Sequence, residues 1–91
     1  MIDKVVVTIH YMEHNRILYT ADLELSANVF IDELEDTLLE ALRKERRDLF
    51  MSVQSIQIST KEIPDIPISK DETLASSGIW DGRELIIRRR N

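Results

Sequence analysis

Asp71-Glu72-Thr73-Leu74-Ala75-Ser76-Ser77-Gly78-Ile79-Trp80-Asp81-Gly82-Arg83-Glu84-Leu85-Ile86-Ile87 is the stretch that decides the fold. Ser69 to Thr73 form a polar turn that returns the chain to an apolar anchor at Leu74. Asp81-Gly82 is a strong turn signal, and Gly82, lacking a Cβ, is expected at positive φ. Leu85, Ile86 and Ile87 then read as a final strand.

Upstream, Ile63-Pro64-Asp65-Ile66-Pro67-Ile68 is of another kind. Its prolines remove backbone donors and push the residues before them towards extended conformations, so it reads as an edge or loop and not a central strand. Between Ser52 and Ser59 the chain alternates, with Ile56 and Ile58 as the inward pair of a strand. Two earlier runs share the period of two: Val5, Val7, Ile9 and Tyr11, then Ile17, Tyr19, Ala21, Leu23 and Leu25. Such alternation marks half-buried strands. The short polar link Met12-Glu13-His14-Asn15-Arg16, with Asn15 tolerant of positive φ, joins them as a hairpin.

From Asn28 the period changes. Phe30, Ile31, Leu34, Leu38, Ala41 and Leu42 fall within one arc of a helix, predicting an amphipathic helix packed on the sheet. Ser26 and Asn28 are candidate N-caps, Asn28 the preferred one, because a side-chain oxygen there can accept from the first-turn amides. Asp32, Glu33, Glu35 and Asp36 lie towards the helix start and Arg43, Lys44, Arg46 and Arg47 at its end, each set opposing the helix dipole. That arrangement accounts for the charges without an active site.

Ninety-one residues suffice for one domain, expected over residues 1–91. With 43% hydrophobic and 32% charged residues the chain is too apolar for disorder and too charged for lipid. No cysteine is present, which rules out disulfides, thiolate zinc sites and cysteine nucleophiles. Met1-Ile2-Asp3-Lys4 runs into a strand-like segment without the features of a secretory signal, so a cytoplasmic location is expected. A net charge of −5 disfavours general nucleic-acid binding, which depends on cations neutralising phosphates. The start at Met1 favours a free-standing protein over the excised portion of a larger receptor or adaptor.

The order strand, strand, helix, strand, irregular segment, strand, closed by Asp71 to Ile87, resembles the ubiquitin superfamily over essentially the whole chain. Leu74, Ile79 and Gly82 to Leu85 stand where ubiquitin-like domains carry their turn anchor, docked pair and last-strand start. The resemblance implies an α+β fold of the β-grasp type, with a mixed four- to five-stranded sheet packed on one amphipathic helix. Within the superfamily the chain resembles the YukD-like group of bacterial type VII secretion systems, in its length, the helix after a short loop, Ser55-Ile56-Gln57-Ile58, and the Gly78-to-Leu85 closure. This implies a non-enzymatic cytosolic accessory protein for export of WXG-motif substrates, binding the secretion ATPase, membrane components or regulators, with no cofactor. Ubiquitin-like modifiers and sulfur carriers need a C-terminal Gly-Gly. The ending Arg88-Arg89-Arg90-Asn91 departs from that and disfavours conjugation.

Three candidate contact surfaces follow. Trp80 is the foremost, since an exposed tryptophan anchors interfaces well; the alternative folds it over the sheet edge or the 63–68 segment. Ile63, Ile66 and Ile68 form either an apolar edge for a partner strand or helix or core residues closing one side of the sheet. Arg88, Arg89 and Arg90 suit an acidic partner, an anionic membrane surface or nucleic acid, or else form a solvated tail, with Arg89 at or past the strand's end. His10 and His14 lack a third metal ligand and read as surface residues. Glu33 and Asp36 lie on the solvent face, away from any pocket.

Overall fold

The computed structural model describes residues 3–90. The expectations touching Met1, Ile2 and Asn91 lie outside the described residues. β1 (Lys4–Glu13) and β2 (Arg16–Ser26) form a hairpin, followed by α1 (Ile31–Glu45), the short α2 (Arg47–Phe50), β3 (Ile56–Thr60) and β4 (Glu84–Arg89). The sheet order is β2-β1-β4-β3. β1 and β4 run parallel at its centre, while β2 and β3 flank them antiparallel, which makes the sheet mixed.

The hairpin turns at His14 and Asn15, both at positive φ (52° and 64°), a backbone whose twist matches that of the paired strands. Beyond it the strands slip. Met12 faces Ile17 while Tyr11 faces Tyr19, so Leu18 is an extra residue in β2. A one-residue insertion moves every side chain before it to the opposite face. Ile17, expected inward with Tyr19, therefore lies on the outer face and is 55% exposed. The remainder of the predicted parity holds through Tyr19, Ala21, Leu23 and Leu25.

α1 starts at Ile31, later than the sequence pattern suggests. Its N-cap is Phe30, without a side-chain cap hydrogen bond, which replaces the expected Asn28 or Ser26. Carbonyls from the closing stretch take the first amides: Ile31 N–H donates to Glu72 O at 2.7 Å and Asp32 N–H to Lys70 O at 3.1 Å. The buried face is Ile31, Leu34, Glu35, Leu38, Leu39 and Leu42, so the helix is turned slightly from the expected arc, and Phe30 and Ala41 are exposed. α2 and a loop precede β3, which begins at Ile56 and not at Ser52. There Phe50 sits edge-on to Tyr11 and Tyr19, with centroids 4.7 and 6.0 Å away.

Residues 73–79 form a compact turn closed by two devices. Thr73 and Ser76 exchange side-chain and backbone hydrogen bonds, as a capping box does. At its end Ile79 N–H reaches Leu74 O and Gly78 N–H reaches Ala75 O, with Gly78 at φ 76°, the pair of bonds that closes a helix in a Schellman motif. Leu74 and Ile79 are thereby buried in the core. Gly82 adopts φ 86°, as expected.

Candidate protein-interaction surface

The turn that carries Trp80 is stitched to the start of β1. Asp81 Oδ1 accepts from Val6 N–H at 2.7 Å, and Gly82 N–H donates to Val6 O at 2.9 Å. Ile79 is buried beneath while Trp80 is 50% exposed, and Val6, on the outer face of β1, is 47% exposed. Trp80 and Val6 are thus both exposed where this turn is bonded to β1. Val6 was missed from sequence because its outward parity was read as ordinary strand alternation.

The isoleucine-proline segment divides. Ile68 packs against the core and its N–H donates to Ile58 O at 2.8 Å, with a further bridge between Ser59 and Pro67. Ile63 and Ile66 point away, 54% and 65% exposed. The core reading thus holds for Ile68 and fails for the other two, because the prolines leave only one short bridge to hold the segment against β3.

The arginine end is not a solvated tail. Arg88 Nη1 lies 3.3 Å from Asp65, Arg89 Nε 3.7 Å from Glu13, and Arg90 Nη2 2.9 Å from Glu35. Arg90 N–H also donates to Ser55 O. Arg89 is the last residue of β4, as expected. Glu35, grouped by sequence with the acids that oppose the helix dipole, is 4% exposed, and burial pushes its carboxyl above the usual range although Arg90 and then Lys70 pull it down. Its position gave a signal in the sequence: at about 100° per residue it falls within about 60° of Ile31, Leu38 and Leu42, at the border of the apolar arc.

His10 is likewise not a free surface residue. Its side chain is 15% exposed, with Nδ1 2.9 Å from Thr20 Oγ1 and Nε2 2.7 Å from Glu84 Oε1. Lys61 Nζ donates to the other Glu84 oxygen, and these two bonds, Lys61 first, hold the Glu84 carboxyl below its ordinary range. Burial and then Glu13 push the Tyr11 hydroxyl up to about 12, so it remains a donor to Glu13. Glu33 and Asp36 are exposed on α1. Among the described residues no group of three His, Asp or Glu side chains is arranged to hold a metal ion, and no helix is long and apolar enough to cross a membrane.

Comparison with solved structures places the fold among ubiquitin-like domains. The ubiquitin-like domain of EccD5 from Mycobacterium xenopi superimposes with a TM-score of 0.76 at 17% identity, covering 97% of this chain and 96% of that one. That of the type VII secretion system protein EccD1 from Mycobacterium tuberculosis gives 0.68 at 20% identity, covering 96% and 99%. A chain of the MycP5-free ESX-5 inner membrane complex gives 0.74 at 20% identity, and there 97% of this chain spans only 21% of its counterpart. These identities establish the fold alone. Curated protein sequences give no significant match. The sequence itself matches the family described as WXG100 protein secretion system (Wss), protein YukD, over residues 4–87, and with nearly the whole chain inside that match, it belongs to the YukD family of ubiquitin-like proteins.

Proposed function

We propose that this chain is a non-catalytic protein-interaction module, a cytosolic accessory or regulatory component of a bacterial type VII secretion system exporting WXG-motif substrates. The family match over residues 4–87 carries this reading. The occurrence of the same fold in a chain of an ESX-5 inner membrane complex supports protein partners such as the secretion ATPase or membrane components. The turn at Trp80, bonded to β1 at the exposed Val6, is the first contact surface, and the Ile63 and Ile66 loop the second. Half-exposed aromatic and aliphatic side chains fixed on well-bonded turns lose little freedom on docking, which favours binding. Arg88, Arg89 and Arg90 contribute chiefly to the fold, and any partner contact they make competes with Asp65, Glu13 and Glu35.

The test is export. Deleting the gene should lower secretion of WXG-motif substrates, the wild-type chain should restore it, and crosslinking in the complemented strain should join the chain to the secretion ATPase or a membrane component. Unchanged export together with no crosslink to any secretion component would refute the reading.

A further inference from the structure

α1 carries more apolar surface than the core covers. Leu34 and Leu38 are buried, yet Ala41 on the same flank and Phe30, one turn before Leu34, are exposed. This flank and β2 enclose a groove of about 160 Å³, bordered on the β2 side by residues 23–26, with Leu23 and Leu25 inward, and on the helix side by Leu34, Thr37, Leu38 and Ala41.

Beside the groove runs a free strand edge. Thr8 N–H donates to Arg83 O and Val6 O accepts from Gly82, so even-numbered residues of β1 turn their backbone groups towards β4 and odd-numbered ones towards β2. Their partners in register, Tyr19, Ala21, Leu23 and Leu25, face β1. Thr20, Asp22 and Glu24 must then present N–H and C=O outward, and no backbone partner meets them among the described residues. Such an edge is a template for another strand, whose alternate side chains would point into the groove and whose others would lie over the outer face.

Charge selects the occupant. Asp22 and Glu24 are exposed on that outer face, Glu33 is exposed on the helix flank, Lys4 is already beside Glu24, and the chain carries −5 overall. A second copy fits poorly. β2 laid antiparallel on itself would bring the Asp22 and Glu24 of both copies onto one face, and the bulge at Leu18 would break the alternation partway along. We propose that the β2–α1 groove binds an extended segment of another protein, added to the free edge of β2, with aliphatic residues facing the groove at alternate positions and Lys or Arg between them facing Asp22 and Glu24. This deepens the interaction-module reading and rests on it only for the class of partner.

The test uses the isotope-labelled full chain and a capped heptapeptide of alternating valine and lysine, with a valine and glutamate peptide and a lysine peptide N-methylated at alternate amides as controls. The lysine peptide should shift the Thr20, Asp22 and Glu24 amides and the Leu34 and Leu38 methyls saturably, and should slow exchange of those three amides. Ala41→Lys, and separately Asp22→Asn with Glu24→Gln, should each weaken binding about tenfold, a factor equal to about 1.4 kcal/mol. No shift at millimolar peptide, shifts centred elsewhere, or equal binding of the glutamate or N-methylated peptide would overturn the proposal. Protection of the same amides that rises with protein concentration and needs no peptide would overturn it in favour of a second copy. No secretion component enters this experiment, so its failure is separable from loss of export or of crosslinks in the cell.

Discussion

Arg90→Ala removes the partner of a buried carboxylate, and its cost should depend on pH. Arg90 Nη2 is 2.9 Å from Glu35 Oε2, the Glu35 side chain is 5% exposed, and Arg90 is 32% exposed. Unit charges about 4 Å apart attract by about 4 kcal/mol in surroundings of intermediate polarity. The partial desolvation of Arg90, whose Nε is buried without a hydrogen-bond partner, offsets part of that, and Lys70 Nζ, 3.9 Å from Glu35 Oε1, replaces another part. The net loss is about 2 kcal/mol near neutral pH. For a chain of 91 residues this lowers Tm by about 10 °C. Burial already holds the Glu35 carboxyl above 4.5 in the folded state, and without Arg90 it rises further. A carboxyl so raised favours folding below its unfolded pKa, and that contribution is lost as pH rises through the folded value. The deficit of Arg90→Ala should therefore be small at an acid pH where Glu35 is protonated in both proteins and full at a higher pH where it is ionised in both. Urea unfolding of both proteins at the two pH values, followed by circular dichroism, measures it. On a Glu35→Gln background the same substitution should cost much less, as coupled residues require. Equal deficits at both pH values, or an unchanged deficit on the Glu35→Gln background, would refute the electrostatic account.

Three further outcomes are expected. Tyr11 is raised from 10.0 to about 12, so its contribution to folding is intact below about pH 10 and lost as pH rises through about 12; alkaline denaturation of wild type should show an extra loss of roughly 2–3 kcal/mol across that window that is missing in Tyr11→Phe. Phe50→Ala empties a fully buried site between two tyrosine rings and should cost about 3–5 kcal/mol in denaturant unfolding. Trp80→Ala, at a half-exposed position, should leave Tm within about 3 °C of wild type while weakening crosslinking to the secretion partner; a large loss of stability with binding intact would remove Trp80 from the contact surface.

The alternation of Val5 to Tyr11, the inward pair Ile56 and Ile58, and the Asp81-Gly82 turn were legible in sequence because each depends on neighbours a few residues away. Sequence periodicity together with local turn chemistry therefore determined the element order, most of the core and the β-grasp resemblance. Exposure of Trp80 could be anticipated but not decided, since burial depends on what else reaches the site.

What tertiary structure alone decided has a common physical cause, partners remote in sequence. The helix start at Ile31 is set by carbonyls of Lys70 and Glu72, which no local capping rule can foresee. The extra residue at Leu18 turns Ile17 outward because pairing with β1 resumes one residue later. Glu35 is tolerated in the buried face because Arg90 and Lys70 are brought to it from 55 and 35 residues further along the chain. The groove between β2 and α1 arises in the same way. Each element declares an apolar face on its own, but whether that face is covered depends on how the two pack.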